Sequence, residues 1–225
     1  MQDEDKRLAA EAAADMVQDG MTVGLGTGST ANFAIKKLGQ RIKEGLTIRG
    51  LPTSKASETL AREVGIPIVN FADVTRLDLT MDGADEMDAA LNLVKGGGGA
   101  LFREKIVAAA SDMLVIFADG SKQVDTLGAF PLPVEVNPFG WQVVVEKITA
   151  LGAKVALRGG PSSPFISDNH GYILDCAFGT IPDPPALEKE ISSIVGVMET
   201  GLFIGLADIA LVASNGHLER VKPQS

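Results

Sequence analysis

The sequence predicts an α/β fold: a mostly parallel sheet with helices on both faces, and a small α+β domain inserted near its end. Three observations predict it. Short apolar runs alternate with helix-patterned stretches through the first half of the chain, as consecutive strand–helix units do. The texture changes near Gly128, where Pro131, Pro133 and Pro138 punctuate a new strand. A last apolar run, Asp208 to Ala213, is placed to rejoin the first sheet.

The elements follow in order. Asp3 to Gln18 carries Leu8, Ala12 and Met16 at helical spacing, with Asp3 as N-cap and Gly20 as the residue that ends the helix. Met21 to Leu25 is a short buried strand, Gly26 to Thr30 a loop, and Ala31 to Leu38 a helix. Leu46 to Leu51 is a strand, Pro52-Thr53-Ser54 a turn with a cap, and Ala56 to Val64 a helix. Pro67 to Val69 and Leu77 to Met81 are strands, Gly99 to Ala110 a helix, and Met113 to Ala118 a strand. After the strand around Pro131 comes a helix at Trp141 to Leu151 and a strand at Lys154 to Leu157. A Gly159–Pro164 turn leads to a strand at Gly171 to Ala177, a helix at Pro184 to Ile194 and a strand within Val197 to Leu206. That β-α-β-β-α-β order is ferredoxin-like. The predicted division is residues 1–127 with 207–225 as a Rossmann-like domain, and 128–206 as the small domain.

Composition narrows the function classes. The chain has 225 residues, 45% of them apolar, and a net charge of −9 with no block of five like charges. Nucleic acid and bilayer surfaces are therefore not expected partners. A small anion remains compatible, because a pocket can be locally positive. The single cysteine, Cys176, lies in an apolar run and reads as a small buried hydrophobe, with no intrachain disulfide available. No apolar run approaches the length of a membrane span, so a soluble, cytoplasmic protein is expected.

The chemistry gathers between Asp78 and Lys105. Asp82 and Asp85 flank Gly83-Ala84, Lys95 precedes the glycine run Gly96–Gly99, and Glu104 follows at the start of a helix. Acids, a cation and bare backbone N–H groups thus collect where strands end and a helix begins, the usual ligand position in open α/β sheets. Each feature also has a structural reading. Asp-Gly-Ala-Asp can be a capped turn, Lys95 a solvated lysine, the glycines a linker, and Glu104 a helix-dipole partner. The loop Gly24-Leu-Gly-Thr-Gly-Ser-Thr30 fails as a dinucleotide fingerprint. Ser29 occupies the third glycine position, and the next strand ends without an acid. It also lacks the Gly-Lys-Ser/Thr of a P-loop. Thr27, Ser29 and Thr30 suit a phosphate or sugar, or else a structural turn. Only His170 and His217 exist, neither near the glycine loops in sequence, so a general base in this chain is expected to be a carboxylate.

These motifs carry a resemblance. With Thr53-Ser-Lys-Ala-Ser57, Asp119-Gly-Ser-Lys-Gln-Val124 and Pro131-Leu-Pro-Val-Glu-Val136 in the same order, the chain resembles ribose-5-phosphate isomerases of the A type over nearly its whole length. The resemblance implies interconversion of D-ribose 5-phosphate and D-ribulose 5-phosphate through a cis-enediolate, in the non-oxidative pentose phosphate pathway. It implies Glu104 as the proton acceptor. It places substrate contacts on Thr27, Gly28, Ser29 and Thr30, on Asp82, Gly83, Ala84 and Asp85, on Lys95, Gly96, Gly97 and Gly98, and on Lys122, with Lys6 near the phosphate. Asp82, Asp85 and Lys95 would assist catalysis.

No cofactor or metal is expected, because no Cys/His cluster offers ligands and the reaction needs no redox partner. The expected partner is a small sugar phosphate, with a homodimer or homotetramer as the assembly. An apolar strand set (Val134, Val136, Ile173, Leu174, Phe203, Ile204) adds to the assembly argument. Two rivals are weaker. A non-catalytic sugar-phosphate sensor would normally join a DNA-binding segment, and only about twenty residues precede the first strand. A nicotinamide-dependent oxidoreductase lacks its fingerprint.

Overall fold

The computed structural model describes residues 2–223. The chain divides into two compact units. The first comprises Met1–Ala84, Arg103–Lys122 and Leu206–Ser225; the second comprises Asp85–Phe102 and Gln123–Gly205. The segment 85–102 thus clusters with the small unit, whereas the sequence reading left it in the large domain. Among the described residues no helix is long and apolar enough to cross a membrane.

The first unit holds the strands β1 (Thr22–Leu25), β2 (Arg49–Pro52), β3 (Leu79–Asp82), β6 (Leu114–Asp119), β12 (Ile209–Ser214) and β13 (His217–Val221). They form one sheet in the order β13-β12-β6-β3-β1-β2, parallel throughout except for the β12–β13 hairpin. The order reverses at β1, which has β2 on one side and β3 on the other. Helices α1 (Gln2–Asp15), α2 (Ser29–Lys43) and α3 (Lys55–Glu63) contribute to a core with Val23, Leu25, Leu79, Met81, Val115 and Phe117. On α1, Ala9, Ala10, Ala13 and Ala14 are fully buried. The opposite face is covered by α4 (Leu101–Ala109), whose Val107 packs with Leu51 and Leu77. Side chains on a strand alternate between faces. Leu79 and Met81 therefore enter the first core, while Thr80 and Asp82 turn to the α4 face.

Several boundaries shift for identifiable reasons. Asp3 is no N-cap: α1 already includes Gln2, so Asp3 sits in the first turn with Glu4 and Asp5. Gly20 does not cap α1, which ends at Asp15; it holds φ +84 in the turn before β1 and donates to the Thr47 carbonyl. Ser54 caps α3 through a reciprocal pair with Ser57. The strand expected at Pro67–Val69 is only a bridge between Gly50 and Ile68. Gly99, at φ +77, lies against Phe165, and α4 starts only at Leu101.

Asp208–Ala213 does rejoin the first sheet, as β12, but it is not the last strand. Asn215 and Gly216, at φ +51 and +78, form a hairpin turn into β13. Both turn amides donate to the Asp5 carboxylate on α1.

The second unit contains β7 (Leu132–Val136), α5 (Trp141–Ala150), β8 (Lys154–Leu157), β9 (Tyr172–Ala177), α6 (Pro184–Ser192) and β10 (Val197–Thr200). Its antiparallel sheet has the order β10-β7-β9-β8, the ferredoxin-like arrangement. Gly201 interrupts the run that the sequence presents as one strand. Beyond it, β11 (Leu202–Phe203) pairs with β5 (Leu93–Val94), which pairs with β4 (Glu86–Met87).

Most of the strand set offered above as assembly surface is spent inside the chain: Val134, Val136, Ile173, Leu174 and Phe203 have no exposed surface, and Ile204 is half-buried. Cys176 is fully buried, and burial with the nearby Asp175 charge pushes its thiol up to about 12. That makes it inert as a nucleophile at neutral pH.

Candidate active site

On the first unit, the carboxyl ends of β1, β3 and β6 present the predicted residues along one edge of the sheet. Ligands bind there in open parallel sheets, at the point where strand order reverses. After β1 the chain passes Gly26, Thr27 and Gly28 into α2. Gly28 is its N-cap with φ 114, and no side chain caps the helix, so the first-turn N–H groups face outward. Gly28 and Ser29 are exposed and Thr30 half-buried. The hydroxyl of Thr27 is already engaged with Thr53 and Ser54, at 2.7 and 2.8 Å. Thr27 thus shapes the loop through its side chain.

Asp82 ends β3 with 1% exposure. Its Oδ1 accepts the Gly83 N–H at 2.8 Å and the Thr27 N–H at 3.2 Å. Gly26 makes this possible: a Cβ there would stand 2.3 Å from Asp82 Oδ1 and 2.6 Å from the Met81 carbonyl. Gly24 is demanded by packing too, since its Cβ would meet Thr80 Oγ1 at 1.9 Å. Two of the three motif glycines therefore serve strand and carboxylate packing, and only Gly28 serves backbone conformation.

Glu104 lies in the first turn of α4 and is 3% exposed. The helix runs against β3: the Leu77 N–H bonds to Ala110 at the far end, and Ser111 bonds to Thr80. Going back from Val107 to Glu104 climbs about 4.5 Å toward the carboxyl ends of the strands. The face to which Asp82 turns is thus the face along which α4 carries Glu104.

Beyond β6, Asp119 accepts from the Ser121 N–H and hydroxyl and anchors the 3₁₀ turn Gly120–Lys122. Burial pushes its carboxyl up, but the Ser121 hydrogen bonds and the charges of Lys122 and Lys6 outweigh it and hold the group below its usual value. Lys122 and Lys6 are therefore two cations near one carboxylate. Lys6 also reaches Asp3 at 3.7 Å.

On the second unit, Lys95 is 3% exposed, with its Nζ 5.3 Å from the centre of the Phe203 ring. Its backbone N–H bonds to the Gly201 carbonyl. Gly96 holds φ +108, and the Gly99 N–H closes a turn onto its carbonyl. Gly97 and Gly98 are exposed. Asp85 accepts the Gly97 N–H at 2.8 Å, so this carboxylate orients the loop. Gly83 and Ala84, half-buried, link the two acids. His217 opens β13 and is exposed, and His170 sits in a turn at φ +64. Among the described residues no group of three or more His, Cys, Asp or Glu is placed to hold a metal.

The family model for ribose 5-phosphate isomerase A (phosphoriboisomerase A) matches residues 49–217. Over 218 residues the chain is 52% identical to ribose-5-phosphate isomerase A 1 of Oceanobacillus iheyensis, covering 96% of this chain and 97% of that one. The chain belongs to the ribose 5-phosphate isomerase A family. Solved structures agree. The ribose 5-phosphate isomerase A of Neisseria gonorrhoeae superposes with a TM-score of 0.94 at 40% identity, covering 100% of this chain and 99% of that one. A D-ribose-5-phosphate isomerase in complex with phospho-erythronic acid superposes at 0.95 with 39% identity, covering 99% of each.

The structure adds Asp119, Phe203 and Arg158 beside these residues, none of which the sequence analysis named as a candidate site residue. Asp119 had a signal, an acid closing an apolar strand just before Gly-Ser-Lys. Arg158 had none, because a single arginine ending a strand is commonplace.

Proposed function

We propose that this chain interconverts D-ribose 5-phosphate and D-ribulose 5-phosphate through a cis-enediolate, with Glu104 as the base. Beyond family membership, the observation that carries the roles is the burial of Asp82 and Glu104, at 1% and 3% exposure, on the same face of the parallel sheet. Burying carboxylates is costly, and a fold that does so at its ligand edge usually has a chemical use for them. Ser29, Thr30, the first N–H groups of α2, Lys122 and Lys6 would hold the phosphate. Asp82 and Asp85 would move protons at O1 and O2 as the sugar ring opens. Glu104 then takes the C2 proton of the open-chain aldose and returns it to C1. Lys95 and the loop N–H groups stabilise the negative oxygen in between. The test is incubation with ribose 5-phosphate alone after exhaustive chelation and dialysis. Ketose should form at the untreated rate, and activity restored only by a divalent ion or a nucleotide would overturn the reading.

Two further expectations follow from the same reading. Replacing Lys122 with Ala should mainly raise KM, losing about 1–3 kcal/mol from a charge-assisted phosphate contact. Unchanged affinity for ribose 5-phosphate would remove Lys122 from the site. The assembly we propose is a homodimer or homotetramer in the cytoplasm. Its support, besides the family, is that Phe139 and Val195 on the second unit are 94% and 85% exposed. Light scattering should give at least twice the chain mass of 23.5 kDa, and a stable monomer at micromolar concentration would reject the assembly.

A further inference from the structure

The glycine loop of the second unit is held by a residue outside every motif. Arg158 follows β8, and Asp175 sits on the neighbouring β9. Arg158 Nε and Nη2 donate to the two Asp175 oxygens at 3.0 and 2.5 Å. This is the forked geometry that fixes a guanidinium plane. The remaining arm, Nη1, donates to the carbonyls of both Gly96 and Gly97, at 3.0 and 3.1 Å. The guanidinium also lies 5.8 Å from the centre of the Phe165 ring. That same ring leaves no room for a side chain at Gly99, whose Cβ would come within 2.4 Å of it. The Arg158 and Asp175 side chains are 18% and 28% exposed.

The consequence comes from the planarity of the peptide bond. In a trans peptide the carbonyl of one residue points opposite to the N–H of the next. Turning the Gly96 and Gly97 carbonyls toward Arg158 therefore turns the N–H groups of Gly97 and Gly98 away from it. The Gly97 N–H indeed reaches Asp85. A run of four glycines left to itself would sample many orientations of these groups. One arginine arm, locked by a carboxylate, selects one.

We propose that Arg158 is a positioning residue for the isomerisation: held by Asp175, it orients the glycine loop so that the Gly97 N–H engages Asp85 and the Gly98 N–H is left to stabilise the enediolate oxygen. This rests on the proposed function for what the loop does, but not for the brace itself. Lysine would keep the charge and lose the fork, so charge and geometry can be separated.

The experiment compares wild type with Arg158→Gln, Arg158→Lys and Asp175→Asn in four measurements: kcat and KM for ribose 5-phosphate, inhibition by inorganic phosphate, thermal unfolding, and amide exchange over residues 95–99. Misaimed donors should lower kcat by about 10–10²-fold in all three variants. KM and phosphate inhibition should stay within about threefold, since the lost interaction belongs to the transition state. Amide exchange over 95–99 should speed up by at least about tenfold while exchange in β6 and β12 is unchanged. Arg158→Lys should not restore kcat.

Wild-type kcat in Arg158→Gln, or full recovery in Arg158→Lys, overturns the proposal. Unchanged exchange over 95–99 does the same. If Arg158→Gln does not fold, the other two variants decide by the same criteria. Failure of the functional reading would look different: wild type itself would form no ketose, while the exchange result would still report on the brace.

Discussion

Glu104→Gln is expected to lower kcat by at least about 10²-fold, because a positioned base typically contributes about 10²–10⁴-fold. That loss equals about 2.7 kcal/mol of transition-state stabilisation. The substitution keeps the size of the side chain and its capacity for hydrogen bonds, so the first turn of α4 and its packing should survive. It removes the one property the mechanism requires, a carboxylate that accepts a carbon-bound proton. KM should change little, and the unfolding midpoint should stay near wild type or rise slightly, since the buried 3%-exposed position would then hold a neutral group. A rise in KM with kcat unchanged would instead mark Glu104 as a substrate-binding group.

Gly26→Ala is expected to have the second largest effect. The added methyl would stand 2.3 Å from Asp82 Oδ1 and 2.6 Å from the Met81 carbonyl, and the latter is backbone of a central strand that cannot step aside. Overpacking of this kind costs about 1–3 kcal/mol of stability. For a chain of this length, each kcal/mol lowers the melting temperature by about 2–4 °C. The displaced Asp82 carboxylate should also cost turnover, because a misplacement of about 1 Å at a catalytic group can cost about 10²-fold. Gly83→Ala supplies the stability control, since the nearest atoms to its Cβ are 3.8 Å away on Phe117. A Gly26→Ala variant that keeps both its midpoint and its kcat would show that the β1 loop does not set the position of Asp82.

The legibility of the fold followed the strength of local pattern. The parallel strands β6 and β12 are nearly continuous apolar runs, as strands buried on both faces tend to be, and β1 and β3, though they carry Thr22, Thr80 and Asp82, are buried at every position; each was readable. The strands β4, β5 and β11 are two residues long, too short to show any alternation, and their pairing brings together segments more than a hundred residues apart. Only tertiary structure could reveal them, and with them the clustering of residues 85–102 in the second unit. The strand β13 did leave a mark, the Asn215-Gly216 pair typical of a tight hairpin, but its exposed and polar residues disguised it as a tail.

The site divides in the same way. Asp82, Asp85, Lys95 and Glu104 stood out because reactive types cluster beside glycines in sequence, whereas Lys122 came only with the family resemblance. What sequence could not assign was which glycine does what. Gly24 and Gly26 exist for packing against Thr80 and Asp82, whereas the motif alone suggested an open anion loop. The long-range supports, Arg158 with Asp175 and Phe203 beneath Lys95, leave no local signature at all.

In the proposed mechanism Glu104, and not Asp82, handles the carbon-bound proton. The most direct measurement is exchange of the ribose 5-phosphate C2 proton with deuterated solvent, followed by NMR for wild type, Glu104→Gln and Asp82→Asn. Glu104→Gln should abolish exchange. Asp82→Asn should still exchange, with its slower turnover partly relieved by a substrate already in the open-chain form. Near-wild-type exchange in Glu104→Gln together with its loss in Asp82→Asn would make Asp82, not Glu104, the base.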